Sequence, residues 1–307
     1  MSTQTSSMPE SIAPQSSPAT VPSSSQSFYW SVRRELWENR WIYLAPLAVA
    51  GIAILGFLIH LPHNLHFFLK LDHAHQQDTL ILPYSITTAL IMGAAFLVSI
   101  FYSLDALYGE RRDRSILFWK SLPVSDLVTV LSKTTVALVI VPLVAFVVTA
   151  AAVAIMLPMN CIALAGTGLT FAQLWARLAL MPSAEMLLYH LVTVHILWYA
   201  PFYGWLLLVS AWARRAPFVW ATLPPLIVIG FEKITFRTSY FLDLLRDRFM
   251  GGTGAVDPMG GDRSPFDPTL HIAPGRFLAT PGLWIGLAIT AMFLSLAVYL
   301  RHRREPI

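Results

Sequence analysis

The chain has 307 residues, 56% of them hydrophobic and only 12% charged, with a formal net charge of +4. Soluble domains run near a quarter charged, so the composition excludes an ordinary globular protein and points to an all-α, polytopic membrane protein. A single cysteine, Cys161, excludes a disulfide framework and any multi-cysteine metal site.

Residues 1–27 are dominated by Ser, Thr, Pro and Gln. Such a leader buries too little apolar surface to offset its ordering entropy, so disorder is expected. It lacks the basic start, apolar centre and small-residue cleavage site of a signal peptide. Residues 28–40, FYWSVRRELWENR, interleave Phe28, Trp30, Leu36 and Trp37 with Arg33, Arg34, Glu35, Glu38 and Arg40. Aromatic and basic residues in that mixture predict an amphipathic helix in the headgroup layer, against membrane lipids.

A membrane domain, residues 41–304, follows. A bilayer-crossing helix needs about 20 apolar residues. Six runs qualify: 41–61, 83–105, 134–157, 187–211, 217–236 and 282–300. The third carries no ionisable side chain from Thr134 to Leu157, whereas the fifth contains Pro224-Pro225 and ends near Glu232-Lys233. Proline is tolerated in a membrane helix where neighbours or water satisfy the freed carbonyls. Pro224, Pro225 and Glu232 are therefore candidates for a kinked, pathway-lining helix, with a simple packing kink as the alternative. Gly93, Ala94 and Ala95, and Gly282 with Gly286, are small enough to allow close helix contact.

Basic residues set the orientation. With both termini cytoplasmic, inside segments carry Arg33, Arg34, Arg40, Arg111, Arg112, Arg114, Lys120, Lys133, Arg214, Arg215, Arg301, Arg303 and Arg304. The first two outside loops carry only Lys70 and Arg177. This bias reads as membrane topology and not as nucleic-acid binding. Outside, Tyr240, Phe241, Leu244, Leu245 and Phe249 recur at helical spacing within 236–249, predicting an amphipathic surface helix. The glycines of 251–268 are followed by no Lys-Ser or Lys-Thr at P-loop spacing, and no Walker-type motif occurs elsewhere, so the chain is not itself an ATPase of that kind.

His60, His63, His66, His73 and His75, with Asp72 and Asp78, gather between the first two spans. Imidazole and carboxylate hold zinc or copper, but Pro62 interrupts the helix that would align them and no His-Glu-x-x-His pattern is present. A wet outer loop is the preferred reading. His190 and His195 lie in the fourth span, five residues apart and so on different faces. No catalytic Ser-His-Asp, Gly-x-Ser-x-Gly or paired-carboxylate set occurs.

The most unusual stretch joins the second and third spans: YGERRDRSILFWKSLPVSD, residues 108–126. Its charges are Glu110, Arg111, Arg112, Asp113, Arg114 and Lys120, and its apolar residues Ile116, Leu117, Phe118 and Trp119. Arginines can pair with a partner's carboxylates, and Phe118 and Trp119 are anchors of the kind that dominate interfaces. A positive-inside flank alone accounts for the arginines but not for the aromatics beside them. Ser125 or Asp126 can cap the next helix after the turn at Pro123.

Tyr108, Glu110-Arg111, the Ser115–Trp119 run, Ser121-Leu122-Pro123-Val124-Ser125 and Lys133 together resemble the first intracellular loop of type-2 ATP-binding-cassette (ABC) transporter permeases. The preceding amphipathic helix, the six spans and the helix-bearing outer segment extend the resemblance over residues 28–304. The leader and Arg114, where many relatives have glycine, depart from it. The resemblance implies a permease domain over 41–304 in a bacterial cytoplasmic (inner) membrane. It also implies a coupling helix docked on a separate cytoplasmic ABC ATPase. Tyr108, Glu110, Arg111, Arg112, Arg114, Ile116, Phe118, Trp119 and Lys120 would form the docking face. ATP would be bound by that partner, leaving this chain without cofactor or catalytic residues of its own. Six spans make half of an alternating-access unit, so a second copy or a sister permease is expected. The cargo is left open. The rival readings are a non-transporting membrane scaffold or immunity-type protein, and a His-dependent membrane metalloenzyme.

Overall fold

A computed structural model describes residues 24–68, 73–115, 124–164, 171–249 and 274–303. Every regular element among the described residues is helical. α1 spans Ser24–Glu38, α2 Trp41–Phe68, α3 His73–Asp105 and α4 Tyr108–Arg112. α5 (Asp126–Thr135) runs through a π-helical stretch, Val136–Ile140, into α6 (Val141–Ala163). α7 (Phe171–Leu178) and α8 (Leu180–His190) lead through a second π stretch, Leu191–Trp198, to α9 (Ala200–Trp212). Then come α10 (Pro217–Thr235), α11 (Tyr240–Phe249), α12 (Pro274–Leu278) and α13 (Pro281–Arg303).

Six stretches among the described residues are long and apolar enough to cross a membrane: Trp41–Pro62, Thr79–Arg112, Asp126–Ala163, Phe171–Trp198, Pro217–Thr235 and Pro281–Arg303. The chain is a multi-pass, all-α membrane protein. The fourth differs from the run at 187–211. The helix passes through a π stretch, and α9 starts afresh after Tyr199, with Pro201 in its first turn. Proline offers no N–H to the turn before it, so a fresh helix start suits it better than a helix interior. Most of the leader lies outside the described residues, but its last four, 24–27, belong to α1.

The core is a seam of small and branched residues. Ala95 of α3, Ala137 of the π stretch, Ala145 and Ala152 of α6, and Ile42 of α2 are all buried in one cluster with Tyr203 and Leu207 of α9. Small side chains let membrane helices approach closely, where lipid offers no hydrophobic drive for association. Gly204 serves the α9–α13 contact, since a Cβ there would stand 3.4 Å from the Thr290 methyl. Of the small residues noted in the sequence, Ala95 is in the core while Gly93 faces open space.

The double proline in the fifth span is accommodated without breaking α10. Pro225 cannot donate to the Ala221 carbonyl four residues earlier, and the indole Nε1 of Trp205 on α9 donates to that carbonyl instead, at 3.0 Å. Most other α10 side chains, including Leu226, Ile227, Phe231 and Ile234, are exposed on the isolated chain.

Candidate functional site

The segment between the second and third spans begins with a tight, buried mount. Ser210 on α9 accepts from the backbone N–H groups of Leu107 (3.0 Å) and Tyr108 (2.9 Å), supplying an N-terminal cap that α4 lacks locally. At Gly109 a Cβ would sit 3.1 Å from the Asp105 carboxylate, a tight contact that glycine avoids. Arg111 is 3% exposed and donates to the Ser210 and Ala213 carbonyls at 2.8 and 2.7 Å. A cation thus meets the negative, carbonyl-bearing end of α9.

Glu110 points the opposite way, into a buried charge cluster. Its carboxylate receives Lys133 Nζ at 3.1 Å, Arg301 at 3.0 Å and Arg34 at 3.4 Å. Glu35 of α1 shares two of these cations: Lys133 Nζ at 2.8 Å and Arg34 at 2.7 Å. It also accepts from the Tyr102 hydroxyl at 2.8 Å. Arg301 reaches Asp126 at the start of α5, and His302 Nδ1 lies 3.3 Å from the same carboxylate. Three carboxylates (Glu35, Glu110, Asp126) therefore face three cations (Arg34, Lys133, Arg301), tying α1, α3, α4, α5 and α13 at one end of the bundle. Burial by itself would raise the Glu35 carboxyl, but the Lys133 ammonium, Arg34 and the Tyr102 hydroxyl outweigh it and hold it below the ordinary carboxylate range.

The expected docking residues divide accordingly. Glu110 and Arg111 are enclosed by their own chain, so they do not present a surface to a partner. Each is held because an unpaired buried charge is costly. Tyr108 is half-buried, with the Arg112 guanidinium 5.7 Å over its ring. Arg112 is exposed and pairs with Asp113 at 2.9 Å and Asp105 at 3.7 Å. Arg114 is exposed and has a φ of 57°, a left-handed conformation that favours glycine. Ile116, Phe118, Trp119 and Lys120 lie outside the described residues. Beyond the turn, the Ser125 hydroxyl accepts from Val128 N at 3.2 Å and caps α5.

α1 shows its aromatic side outward: Trp30 and Trp37 are exposed, and Arg33 stacks between them at 5.1 and 5.4 Å. At the opposite end of the bundle, Glu232 is engaged by the turn that follows α10. Its carboxylate accepts from Thr238 Oγ1 (2.9 Å), Tyr240 N (2.7 Å) and Phe241 N (3.0 Å), capping the predicted outer helix α11. At the far end of α11, Arg248 lies 4.1 Å over the Trp198 ring and donates to the Trp198 carbonyl and to Gly282 O. Gly286 leaves room for that guanidinium, which a Cβ would strike.

Among the described residues no group of three or more His, Cys, Asp or Glu is placed to hold a metal. The side chains of His63, His66, His73 and His75 lie outside the described set. His195 is within 3.3 Å of the Tyr203 hydroxyl in a ring of Phe96, Tyr199 and Tyr203, a packed aromatic setting.

Sequence reasoning missed the cluster as a unit, although Lys133 carried a signal as the charge heading an otherwise ion-free span. Comparison with family models, with curated proteins and with solved structures finds no match.

Proposed function

We propose that this chain is the permease subunit of an ABC-type exporter in a bacterial cytoplasmic membrane, with both termini inside, driven by a separate ATPase subunit. The observation that carries the reading is the mounting of α4. Glu110 is bound to α1 through Arg34, to the third span through Lys133 and to the sixth through Arg301. Arg111 is bound to the end of α9. A displacement of the segment that follows is therefore passed to several membrane helices at once, as a force-transmitting element requires. Arg114 adds support: it holds a left-handed φ at the position where many members of the resembling family carry glycine.

On this reading the work is divided along the segment. Tyr108, Arg112 and Arg114, with Ile116, Phe118, Trp119 and Lys120, face the ATPase, while Glu110 and Arg111 brace the segment from behind. ATP is bound by the partner, and the chain itself catalyses no hydrolysis. A second permease half, either a copy or a sister chain, completes the translocating unit. The double proline keeps α10 as the candidate pathway helix, and Glu232 belongs to the outer cap.

The test is a detergent pull-down of tagged wild type against Phe118→Ala/Trp119→Ala, which leaves the mount untouched. An ATPase that co-elutes with wild type and is lost from the variant supports the permease. A folded wild type that brings down no ATPase overturns it in favour of a scaffold.

A further inference from the structure

A cavity of about 260 Å³ lies between α3, α6, α7 and α8, in the half of the bundle away from the charge cluster. Its wall includes Tyr84, Thr88, Thr149, Ala154, Trp175 and Met181. Ala154, Trp175 and Met181 are exposed on the membrane-spanning surface, so the cavity communicates sideways with the bilayer. The lining is predominantly apolar despite these hydroxyls, and hydrocarbon is at hand on its open side, so an acyl chain suits the space.

One wall residue asks for more than hydrocarbon. Thr149 is 4% exposed, and its Oγ1 has no hydrogen-bond partner. Hydroxyls elsewhere in the bundle bond back to the carbonyl four residues earlier: Thr134 to Val130, Thr193 to Tyr189, Thr290 to Gly286 and Ser295 to Ala291. Thr149 departs from this habit, leaving a buried donor in the wall of the cavity, where an unfilled polar group is costly. Thr149 lies sixteen residues beyond Lys133, or about 24 Å at 1.5 Å per residue. That places Thr149 in the half of the third span away from the charge cluster.

We infer that the cavity binds one membrane glycerolipid, an acyl chain filling the apolar space and an ester carbonyl accepting from Thr149 Oγ1. The inference stands apart from the transporter reading, since it needs neither an ATPase nor transport. The full chain would be placed in nanodiscs containing phosphatidylglycerol with a photoactivatable diazirine in one acyl chain, and the cross-links mapped by mass spectrometry. Cross-links should concentrate on 146–157 and 175–187, exceed those on the bilayer-exposed Pro217–Thr235 helix and saturate with lipid fraction. Ala154→Phe should abolish this enrichment. Thr149→Val, which keeps the side-chain shape, should weaken it about fivefold, as loss of one hydrogen bond would. Both variants are compared at matched thermal stability, with Pro217–Thr235 labelling as the internal standard. Labelling of the cavity peptides no stronger than on Pro217–Thr235, or unchanged in both variants, would mean ordinary annular lipid and overturn the inference.

Discussion

Lys133 is 3% exposed and sits between two carboxylates, Glu35 and Glu110, so removing it leaves both short of a counter-charge. Lys133→Met should destabilise the protein by about 3 kcal/mol, because breaking a buried pair strands its partner's charge. Adding Glu35→Gln should cost less than the sum of the two single changes, by more than about 1 kcal/mol. Unfolding of the four members of this cycle in one detergent measures it, and strict additivity would sink the coupling. Acid gives a second handle. Because the folded Glu35 carboxyl is held low, its contribution is fully present above the unfolded value of about 4.3. That contribution is lost as pH falls through the lower folded value. Glu38 shifts the other way through burial, so the comparison to make is wild type against Glu35→Gln, whose stability should fall less steeply below about pH 4.3.

At the scale of the element, α10 shows how one helix depends on its neighbour. Trp205→Phe keeps an aromatic ring against α10 but leaves the Ala221 carbonyl without the donor that replaces Pro225's missing N–H. A loss of about 1 kcal/mol is expected in thermal or denaturant unfolding. The cost should shrink toward zero in a Pro225→Ala background, where the backbone again supplies the donor. An equal cost in both backgrounds would show that the indole contributes only packing. The helices themselves were largely legible in the sequence. Long apolar runs marked the spans, and the spacing of Tyr240, Phe241, Leu244 and Leu245 marked α11. The break at Tyr199 was not, because the apolar run continues through it and periodicity does not report a π turn.

At the scale of the molecule, the charge cluster brings together residues far apart in sequence: Glu35 and Lys133 are 98 positions apart, Glu110 and Arg301 191. No local pattern encodes such pairings, which is why Glu110 and Arg111 read as surface charges before the fold was known. The cluster also places α1 and the end of α13 on one side, with α11 on the other. Topology is the matching prediction. In a Cys161→Ser background, an impermeant maleimide applied to intact cells should label Arg246→Cys, on α11. Gln26→Cys and Arg303→Cys should react only after the membrane is opened. Labelling of all three from outside would contradict this arrangement.

The two π stretches, Val136–Ile140 and Leu191–Trp198, bear on how this chain can change its length. Elsewhere in a packed span, deleting one residue swings everything downstream around the axis by a large fraction of a turn, about 100°. It would carry core alanines to the lipid and lipid-facing leucines inward. A π turn already holds one residue more than an α turn, so a deletion there can be absorbed by reverting to regular α-helix, with both flanks keeping their faces. These are the places where relatives of different length can differ by a single residue and still share one register.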